Sequence, residues 1–280
     1  MGGVYWETRD SGLSGGKAGA VSEKPTSEVV SEPLMREHEV LFLDFLGFAS
    51  AVEQWDDQRM ERLIRVLAEI AEAQTSFDVK GEAQQDGSYK ITSPAEITTF
   101  SDNIVVSYPA VFGDPEDPVA TLVAPGWAQM VRQQMQRITA EIVRVGLDLG
   151  LLTRGGLSRG RLYHEGRVVA GEAMIDAYRL ERCVAKQARV AVSPRLTDSD
   201  GVFVDSDGTR CLDYFTELML SAERAHGDAL AWARATRANI DPTIETLTKS
   251  GRQKEAAIWR NFRDWFCSKV RSSWPGGSLF

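Results

Sequence analysis

The stretch VLFLDFLGFAS, residues 40–50, decides how the rest of the sequence is interpreted. It begins as a short, almost continuous apolar run, the pattern of a strand that is buried on both faces of a sheet. One acid, Asp44, interrupts the run just before a Gly-Phe pair. A buried carboxylate is costly unless a cation or hydrogen-bond donors meet it. The sequence therefore predicts that Asp44 either caps the following helix or holds a metal ion.

The composition is ordinary for a globular protein. The 280 residues are 43% hydrophobic and 26% charged, enough for one large domain or two small ones. The formal net charge of -8 argues against binding to nucleic acid or to an anionic membrane mainly by charge. Three cysteines without metal-type spacing suit a reducing cytosol, and neither a signal peptide nor a transmembrane stretch is recognisable. We expect a cytoplasmic protein without nucleic-acid or membrane partners.

Three regions follow one another along the chain. Residues 1–35 are rich in Gly, Ser, Lys and Glu and lack apolar density, so we predict a flexible N-terminal tail. Residues 36–215 alternate predicted strands with amphipathic helices, and residues 216–280 are mostly helical. This order predicts an α+β fold, in which helices flank a mixed sheet and a helical extension follows at the C-terminus.

Several local patterns make that architecture specific. Apolar residues recur at three- and four-residue steps over 60–71 and over 127–149, which predicts two helices. Residues 101–103 read as the turn of a β-hairpin. Ser193-Pro194 is typical of the start of a short helix, and Asp241-Pro242 and Ser250-Gly251 are typical of breaks between C-terminal helices.

A second acid, Asp102, lies at the predicted hairpin turn. If the hairpin lies beside the first strand, Asp44 and Asp102 reach the same edge of the sheet. Two carboxylates held close repel each other, and a hard divalent cation relieves that repulsion. Two such ions about 3.5–4 Å apart would stabilise both oxygens of a phosphoryl displacement. Taken singly, Asp102 also fits an ordinary turn residue and Asp44 a helix cap.

Basic and imidazole side chains on the glycine-bearing segment after residue 150 allow two interpretations. Arg154, Arg159 and Arg161 either pair with acids as structural or surface groups, which is the favoured interpretation, or one of them contacts phosphate or base. His164 is interpreted as a strand-end residue near the site rather than as a metal ligand.

Four segments, taken together, resemble the class III nucleotidyl cyclases. LFLDFLGFAS is similar to the first metal motif of that family, and TTFSDNIVVSY to its second metal hairpin. TRGGLSRGRLY is similar to its glycine-bearing strand, and GEAMIDAYRLERCVAKQARVAVSPRL to its closing helix and strand. The segments occur in the family's order and extend over residues 39–196. The resemblance implies a ferredoxin-like, palm-type sheet flanked by helices.

The resemblance also implies roles for individual residues. Asp44 and Asp102 match the two metal aspartates, and the backbone carbonyl of Phe45 is implied as a further ligand of two divalent ions. Arg179 matches the arginine that stabilises charge on the α-phosphate. In this family the site lies between two catalytic domains, so a chain with one such domain is implied to work as a homodimer in which Arg179 serves the partner subunit's aspartates.

The nucleotide is implied to lie beside the first metal motif. Gly47, Phe48 and Ala49 would present backbone N–H groups to the triphosphate at the start of a helix, where the helix dipole favours anions. One metal ion would activate the ribose 3′-hydroxyl for in-line attack on the α-phosphate, and the second would hold the leaving pyrophosphate. Asp44, Asp102 and Arg179 are then the catalytic residues.

The chain departs from the family at the positions that read a purine base. Thr98 stands where the family often has lysine or glutamate, about Val168 where it often has aspartate, and Ile175 where it has asparagine. Either the domain binds nucleotide without turning it over, or it reads a different base through a changed set that includes Thr98. Because both metal aspartates and Arg179 are present, a changed base is the favoured interpretation.

The departures resemble the bacterial pyrimidine cyclases of Pycsar anti-phage systems, which share FLDFLGF-like and FSDN-like motifs and a helix like GEAMIDAYRLE. That resemblance implies synthesis of cyclic UMP from UTP with manganese, or magnesium, as the metal. The product would activate a separate effector protein. The alternatives are a cytidylate cyclase that uses CTP, then a purine nucleotide cyclase, and then an inactive cyclase-fold module that senses nucleotide.

Overall fold

The computed structural model describes residues 34–75, 82–83, 89–90, 95–113, 118–197 and 200–274. The predicted tail, residues 1–35, therefore lies outside the described residues except for its last two positions. All described residues belong to one compact unit. Within these ranges, no helix combines the length and the hydropathy that a membrane span needs.

Helices and strands are mixed along the chain up to Leu212, and helices alone follow in the described residues. The strands are β1 (Arg36–Leu46), β2 (Glu82–Ala83), β3 (Tyr89–Lys90), β4 (Glu96–Phe100), β5 (Asn103–Pro109), β6 (Leu152–Glu165), β7 (Val168–Gly171), β8 (Val190–Val192), β9 (Val202–Val204) and β10 (Arg210–Leu212). The α-helices are α1 (Phe48–Val52), α2 (Asp57–Thr75), α3 (Pro118–Asp148), α4 (Glu172–Arg179), α5 (Phe215–His226), α6 (Ala229–Lys249) and α7 (Gln253–Ser273). A π-helical turn follows α4.

Eight strands form one mixed sheet. Seven of them lie in the order β4-β5-β1-β6-β8-β10-β9, and β7 pairs with β6 outside that row. The pairs are antiparallel except β6 with β8, which is parallel. The predicted α+β fold, a mixed sheet flanked by helices and followed by a helical C-terminal extension, is confirmed. The hairpin predicted to turn at residues 101–103 is present: Ser101 and Asp102 form the turn between β4 and β5, and Asn103 already belongs to β5.

The alternation of side chains along β1 assigns its residues to two cores. Leu41 and Leu43 pack into the large core between the sheet and the long helices, which include α3 and α5 to α7. Val40 and Phe42 point to the opposite face and pack into a smaller core beneath α4. Because successive side chains of a strand point to opposite faces, Asp44 lies on the α4 face of the sheet.

Helix α4 approaches the sheet unusually closely, and a glycine allows it. A Cβ atom on Gly156 of β6 would lie 2.1 Å from the carbonyl oxygen of Ala177, a distance that no side chain tolerates. Just beyond this contact, at Leu180–Val184, the helix widens into a π-helical turn, closed by a hydrogen bond of 2.8 Å from the Ala185 N–H to the Leu180 carbonyl. Such turns are frequent at functional sites.

The structure corrects two local predictions and adds one element. Helix α6 continues through Pro242; the carbonyl of Ala238, which loses its intrahelical donor there, belongs to an exposed residue that water reaches. Ser193-Pro194 opens no helix, and a turn follows β8 instead. The hairpin of β9 and β10 was not predicted, because each strand has only three residues and neither shows a clear alternation.

Candidate active site

The structure brings Asp44 and Asp102 together where the end of β1 meets the turn before β5. Asp44 in β1 is paired with Asn103 at the start of β5, so the hairpin residue before Asn103 lies next to the end of β1. The N–H of Phe45 donates to the carbonyl oxygen of Asp102 at 3.4 Å. The Asn103 side-chain amide donates to Asp102 Oδ1 at 3.1 Å, which orients that carboxylate.

Burial raises the pKa of the Asp44 carboxyl above its ordinary value, and the nearby Asp102 carboxylate raises it further. The Arg154 guanidinium lowers the pKa of Asp44, but not enough to cancel this rise. The Asp44 side chain is 15% exposed, so it is shielded from most of the solvent but not fully buried. A cation between the two aspartates would therefore stabilise their charged forms.

Arg154 contacts both Asp44 of β1 and Glu181 of the π-helical turn. It lies directly opposite Asp44 in the β1–β6 register. Its Nε and Nη2 atoms donate to Asp44 Oδ2 at 3.1 and 3.0 Å, and its guanidinium forms an ion pair with Glu181. The structure thus bears out the structural pairing that the sequence favoured for Arg154. Both hydrogen bonds from Arg154 go to the same oxygen of the Asp44 carboxylate, Oδ2.

Glu181 is the acid of the site that the sequence analysis did not single out. It lies in the π-helical turn after α4, and its side chain is only 3% exposed. Burial raises the pKa of its carboxyl, and the negative charges of Asp44 and Asp102 raise it further, while the guanidinium groups of Arg154 and Arg182 lower it without cancelling the rise. A usable signal existed: Glu181 lies four residues after the buried Ala177, on the helix face that points to the sheet. A charged residue at such a position predicts a buried partner.

These four side chains carry an excess of negative charge. The carboxylates of Asp44 and Glu181 contact the guanidinium of Arg154, and the Asp102 carboxylate lies close enough to raise the pKa of both. Carboxylate oxygens are hard ligands that suit Mg²⁺ or Mn²⁺. In the described parts of the chain, no cluster of three or more His, Cys, Asp and Glu side chains is arranged to hold a metal by itself. The residues present still fit ions that take most ligands from water and phosphate, as Mg²⁺ does.

The loop after β1 has the backbone conformation that only glycine adopts easily. Gly47 has φ of +86°, and a side chain there would meet no atom within 4 Å, so the need for glycine is conformational. Its carbonyl accepts from the Ala51 N–H at 3.0 Å and starts the short helix α1. Gly47 and Ala49 are exposed, Phe48 is half-buried, and the side chain of Phe45 is buried in the large core.

Thr98 lies in a hydrogen-bonded cluster away from the four charged groups. Its hydroxyl donates to the Gly166 carbonyl at 2.7 Å and lies 2.9 Å from Nε2 of His164. Because that hydroxyl has only one hydrogen, Nε2 must be the donor in the second contact. The other ring nitrogen, Nδ1, then accepts from Ser107 Oγ at 2.8 Å. Burial, together with the charge of His38, lowers the pKa of His164 to about 4, so the ring is neutral.

Arg179 points away from the aspartates of its own chain. It is the last residue of α4, and its side chain is 71% exposed. In the part of the chain that the structure describes, the acid paired with Arg179 is Asp176, at 3.8 Å, rather than Asp44 or Asp102. Two apolar neighbours on the same helix, Ile175 and Tyr178, are 50% and 39% exposed.

No family model matches the chain, and neither does any curated protein. Among solved structures, the chain is similar to the guanylyl cyclase Cya2, with 15% identity over 64% of this chain and 91% of that one and a TM-score of 0.35. It is also similar to the monomeric guanylyl cyclase domain of the RhoGC fusion protein from the aquatic fungus Blastocladiella emersonii, with 16% identity, 64% and 95% coverage and a TM-score of 0.36.

A third similar structure is the guanylate cyclase domain of RhGC from Catenaria anguillulae in complex with GTP. Its identity is 14%, the coverage is 63% of this chain and 93% of that one, and the TM-score is 0.35. At such identities and TM-scores, these similarities carry no argument about what the chain binds or catalyses.

Proposed function

We propose that this chain is a metal-dependent nucleotide cyclase that works as a homodimer and converts UTP to 3′,5′-cyclic UMP and pyrophosphate. The proposal rests above all on the meeting of Asp44 and Asp102 at the end of β1, with a surplus of negative charge that one arginine does not neutralise. That arrangement suits divalent cations, and the motif resemblance of the same residues supplies the reaction.

Asp44, Asp102 and the backbone carbonyl of Phe45 would hold the metal ions. Arg154 holds Asp44 in place by binding its Oδ2 atom, and Glu181 forms an ion pair with Nε of the same guanidinium. When bound, two divalent ions lower the pKa of the ribose 3′-hydroxyl and neutralise the charge of the triphosphate. The protein contributes positioning and electrostatic stabilisation, and no side-chain nucleophile is required.

The triphosphate would lie against the exposed loop of Gly47, Phe48 and Ala49, whose N–H groups begin α1. Arg179 would act on the α-phosphate in the partner subunit's site, since it faces solvent in its own chain. The exposed apolar side chains of Ile175 and Tyr178 beside it suit a face that a second copy covers. Each site would then be complete only in the dimer.

The base preference rests on the sequence. Thr98 occupies a position at which purine cyclases carry a longer polar side chain, and its hydroxyl already has partners in Gly166 and His164. We therefore assign it the role of shaping the base pocket. Cytidylate cyclase activity is the alternative, followed by a purine cyclase and by an inactive nucleotide sensor. The cyclic product would act as a messenger in antiviral defence by activating a separate effector.

The test is turnover of each nucleotide separately. The purified full-length chain is incubated with UTP, CTP, ATP or GTP and Mn²⁺, and the cyclic product and pyrophosphate are identified by mass spectrometry and chromatography. The proposal expects cyclic UMP from UTP, while cyclic CMP alone would shift the assignment to cytidine. Product from ATP or GTP alone rejects the base assignment, and nucleotide binding without pyrophosphate release rejects catalysis.

The dimeric site is tested by complementation. Asp44→Asn and Arg179→Ala should each be inactive as homodimers. When the two variants are mixed and allowed to exchange subunits, one site of each mixed dimer regains both groups, so turnover should return. A mixture that stays inactive although mixed dimers form would contradict the sharing of the site between subunits.

A further inference from the structure

A cavity of about 490 Å³ lies between α7 and the β8–β10 end of the sheet. Its walls come from the segment 187–189 before β8, from β9 and the turn after it, and from α7. None of the four charged residues of the candidate active site lines it. The volume lies within the range of small-molecule pockets, about 300–1,000 Å³, and it suits a molecule of nucleoside size.

Aromatic rings form much of the cavity wall. Phe203 of β9 lies on one side, and Phe262 and Trp265 of α7 lie on the other. The rings of Phe262 and Trp265 are 5.7 Å apart, and Tyr214 lies 5.6 Å from Trp265, so the wall on the α7 side is a packed aromatic cluster. Flat rings gain most from such surfaces, because they contact them over a whole face.

Polar groups of the cavity suit an uncharged ligand. The Asn261 side chain donates to Gln187 Oε1 at 2.7 Å, which places two amide groups at the wall. The cationic groups already have carboxylate partners: Arg189 Nη2 lies 2.6 Å from Asp207, and Lys269 Nζ lies 2.7 Å from Asp213. The cavity therefore offers amide hydrogen bonding and stacking rather than excess positive charge for a phosphate.

The same wall is connected to the turn that carries Glu181. Arg189, which is 8% exposed, donates from Nη2 to the carbonyl of Val184 at 3.3 Å. Val184 is the last residue of the π-helical turn, and residues 185–188 lead directly from it to Arg189. A ligand that contacts Gln187 and Arg189 therefore touches the segment that directly follows the turn carrying Glu181 and is hydrogen-bonded to its last residue.

We propose that this cavity is a second ligand site, which takes a flat, uncharged nitrogen heterocycle of nucleoside size, and that its occupancy changes turnover through the Glu181 turn. The effect on turnover rests on the proposed function, whereas binding does not. Apolar contact with the rings of Trp265 and Phe203, the latter with Lys269 Nζ 4.9 Å from its centroid, provides affinity, and the amides of Asn261 and Gln187 select a ring with neighbouring donor and acceptor atoms.

Binding is measured by calorimetry on the full-length chain with uridine, cytidine, adenosine and guanosine, which lack the triphosphate of a substrate. We expect at least one nucleoside to bind. Phe203→Ala and Asn261→Ala should weaken that binding by about tenfold, the effect of losing one stacked ring or one amide pair. Their matched controls, Val204→Ala on the adjacent exposed position of β9 and Asn239→Ala on the exposed face of α6, should bind as the wild type does.

Asp44→Asn separates this site from the active site. It should bind the nucleoside unchanged, whether or not the chain proves to be a cyclase, and turnover of the wild type should change when the nucleoside saturates the cavity. Failure of all four nucleosides to bind, or binding that Phe203→Ala leaves intact, overturns the site. Equal turnover with the cavity empty and filled overturns its link to the Glu181 turn.

Discussion

Strand β1 carries two largely buried acids five residues apart, Glu39 and Asp44. They lie on opposite faces of the sheet, and their surroundings differ. On the face of the large core, Glu39 pairs with Arg132 at 3.3 Å, and the two side chains are 3% and 1% exposed. On the α4 face, Asp44 is 15% exposed and Arg154 is 27% exposed, and two further carboxylates lie close by. The Glu39–Arg132 pair is thus shielded from solvent, whereas the Asp44–Arg154 pair is partly exposed and has further acids beside it.

The two faces of the sheet differ in how the charge of their acid is compensated. In the Glu39–Arg132 pair a buried acid lies against a buried base, which is how buried charges are usually tolerated. Around Asp44 the acids outnumber the base, and the pKa of Asp44 and that of Glu181 are raised as a result of burial and of their mutual repulsion. Such unfavourable arrangements cluster at functional sites. We interpret the free energy needed to keep these carboxylates charged as energy that cation binding recovers.

The largest expected effect is on catalysis. Asp44→Asn and Asp102→Asn should each lower turnover by about a thousandfold or more, since each removes electrostatic stabilisation at the reacting phosphate. Neither variant should unfold, because each removes a carboxylate that repels its neighbours. Melting temperature and NTP turnover are measured on the same samples. Turnover within tenfold of the wild type would contradict the role of the pair.

The opposite face should respond in the opposite way. Glu39→Gln removes the buried carboxylate that pairs with Arg132, and breaking a buried pair typically costs about 3–5 kcal/mol of unfolding free energy. The matched control is Glu37→Gln, because Glu37 pairs with Arg159 at the exposed surface at 3.2 Å, where such pairs contribute about 0–1 kcal/mol. Urea titration of both variants gives the comparison. Equal losses would remove the distinction between the faces.

Glu181 should act through Arg154 and Asp44 rather than on the substrate. Glu181→Gln weakens the anchor of the guanidinium, and loss of such an outer partner typically costs about 10- to 100-fold in metal affinity or activity. The apparent Mn²⁺ affinity should fall together with turnover, whereas Glu245→Gln on the exposed face of α6 should change neither. A Glu181→Gln variant that loses stability while keeping its Mn²⁺ affinity would reduce Glu181 to a packing role.

The smallest effect concerns pH. Because the pKa of Asp44 is raised above its ordinary value of 3.8, the folded metal-free protein binds that proton more tightly than the unfolded chain does. The Asp44 carboxylate therefore destabilises the fold at neutral pH, and this penalty disappears as the pH falls through the raised pKa. Asp44→Asn should melt higher than the wild type at neutral pH, by a margin that narrows on acidification. A constant or widening margin would contradict the assignment.

Much of the architecture was predictable, because it depends on local patterns. The apolar run of β1, the hairpin around Asp102 and the amphipathic helices each have a periodicity that one segment shows by itself. The meeting of Asp44 with Asp102 followed from placing that hairpin beside β1. The hairpin of β9 and β10 and the continuity of α6 through Pro242 did not follow, since tertiary packing decides both.

The missing parts of the site depend on partners that are distant in sequence. The hydroxyl of Thr98 bonds to His164, which is 66 residues away, so no local pattern shows that it is engaged. Glu181 meets Arg154 only because Gly156 allows α4 to approach the sheet closely. That approach brings the π-helical turn next to Arg154. The roles of Asp44, Asp102 and Arg179 in catalysis remain predictions that the variants above test.

Binding of Mn²⁺ tests the central claim most directly. The full-length wild-type chain, Asp102→Asn and the control Asp57→Asn, which removes an acid at the start of α2, are titrated with Mn²⁺ in the presence of a non-cyclising UTP analogue, and bound metal is measured by electron paramagnetic resonance. We predict that the wild type and Asp57→Asn bind the ion equally and that Asp102→Asn loses it. Equal Mn²⁺ binding by all three proteins would contradict the claim.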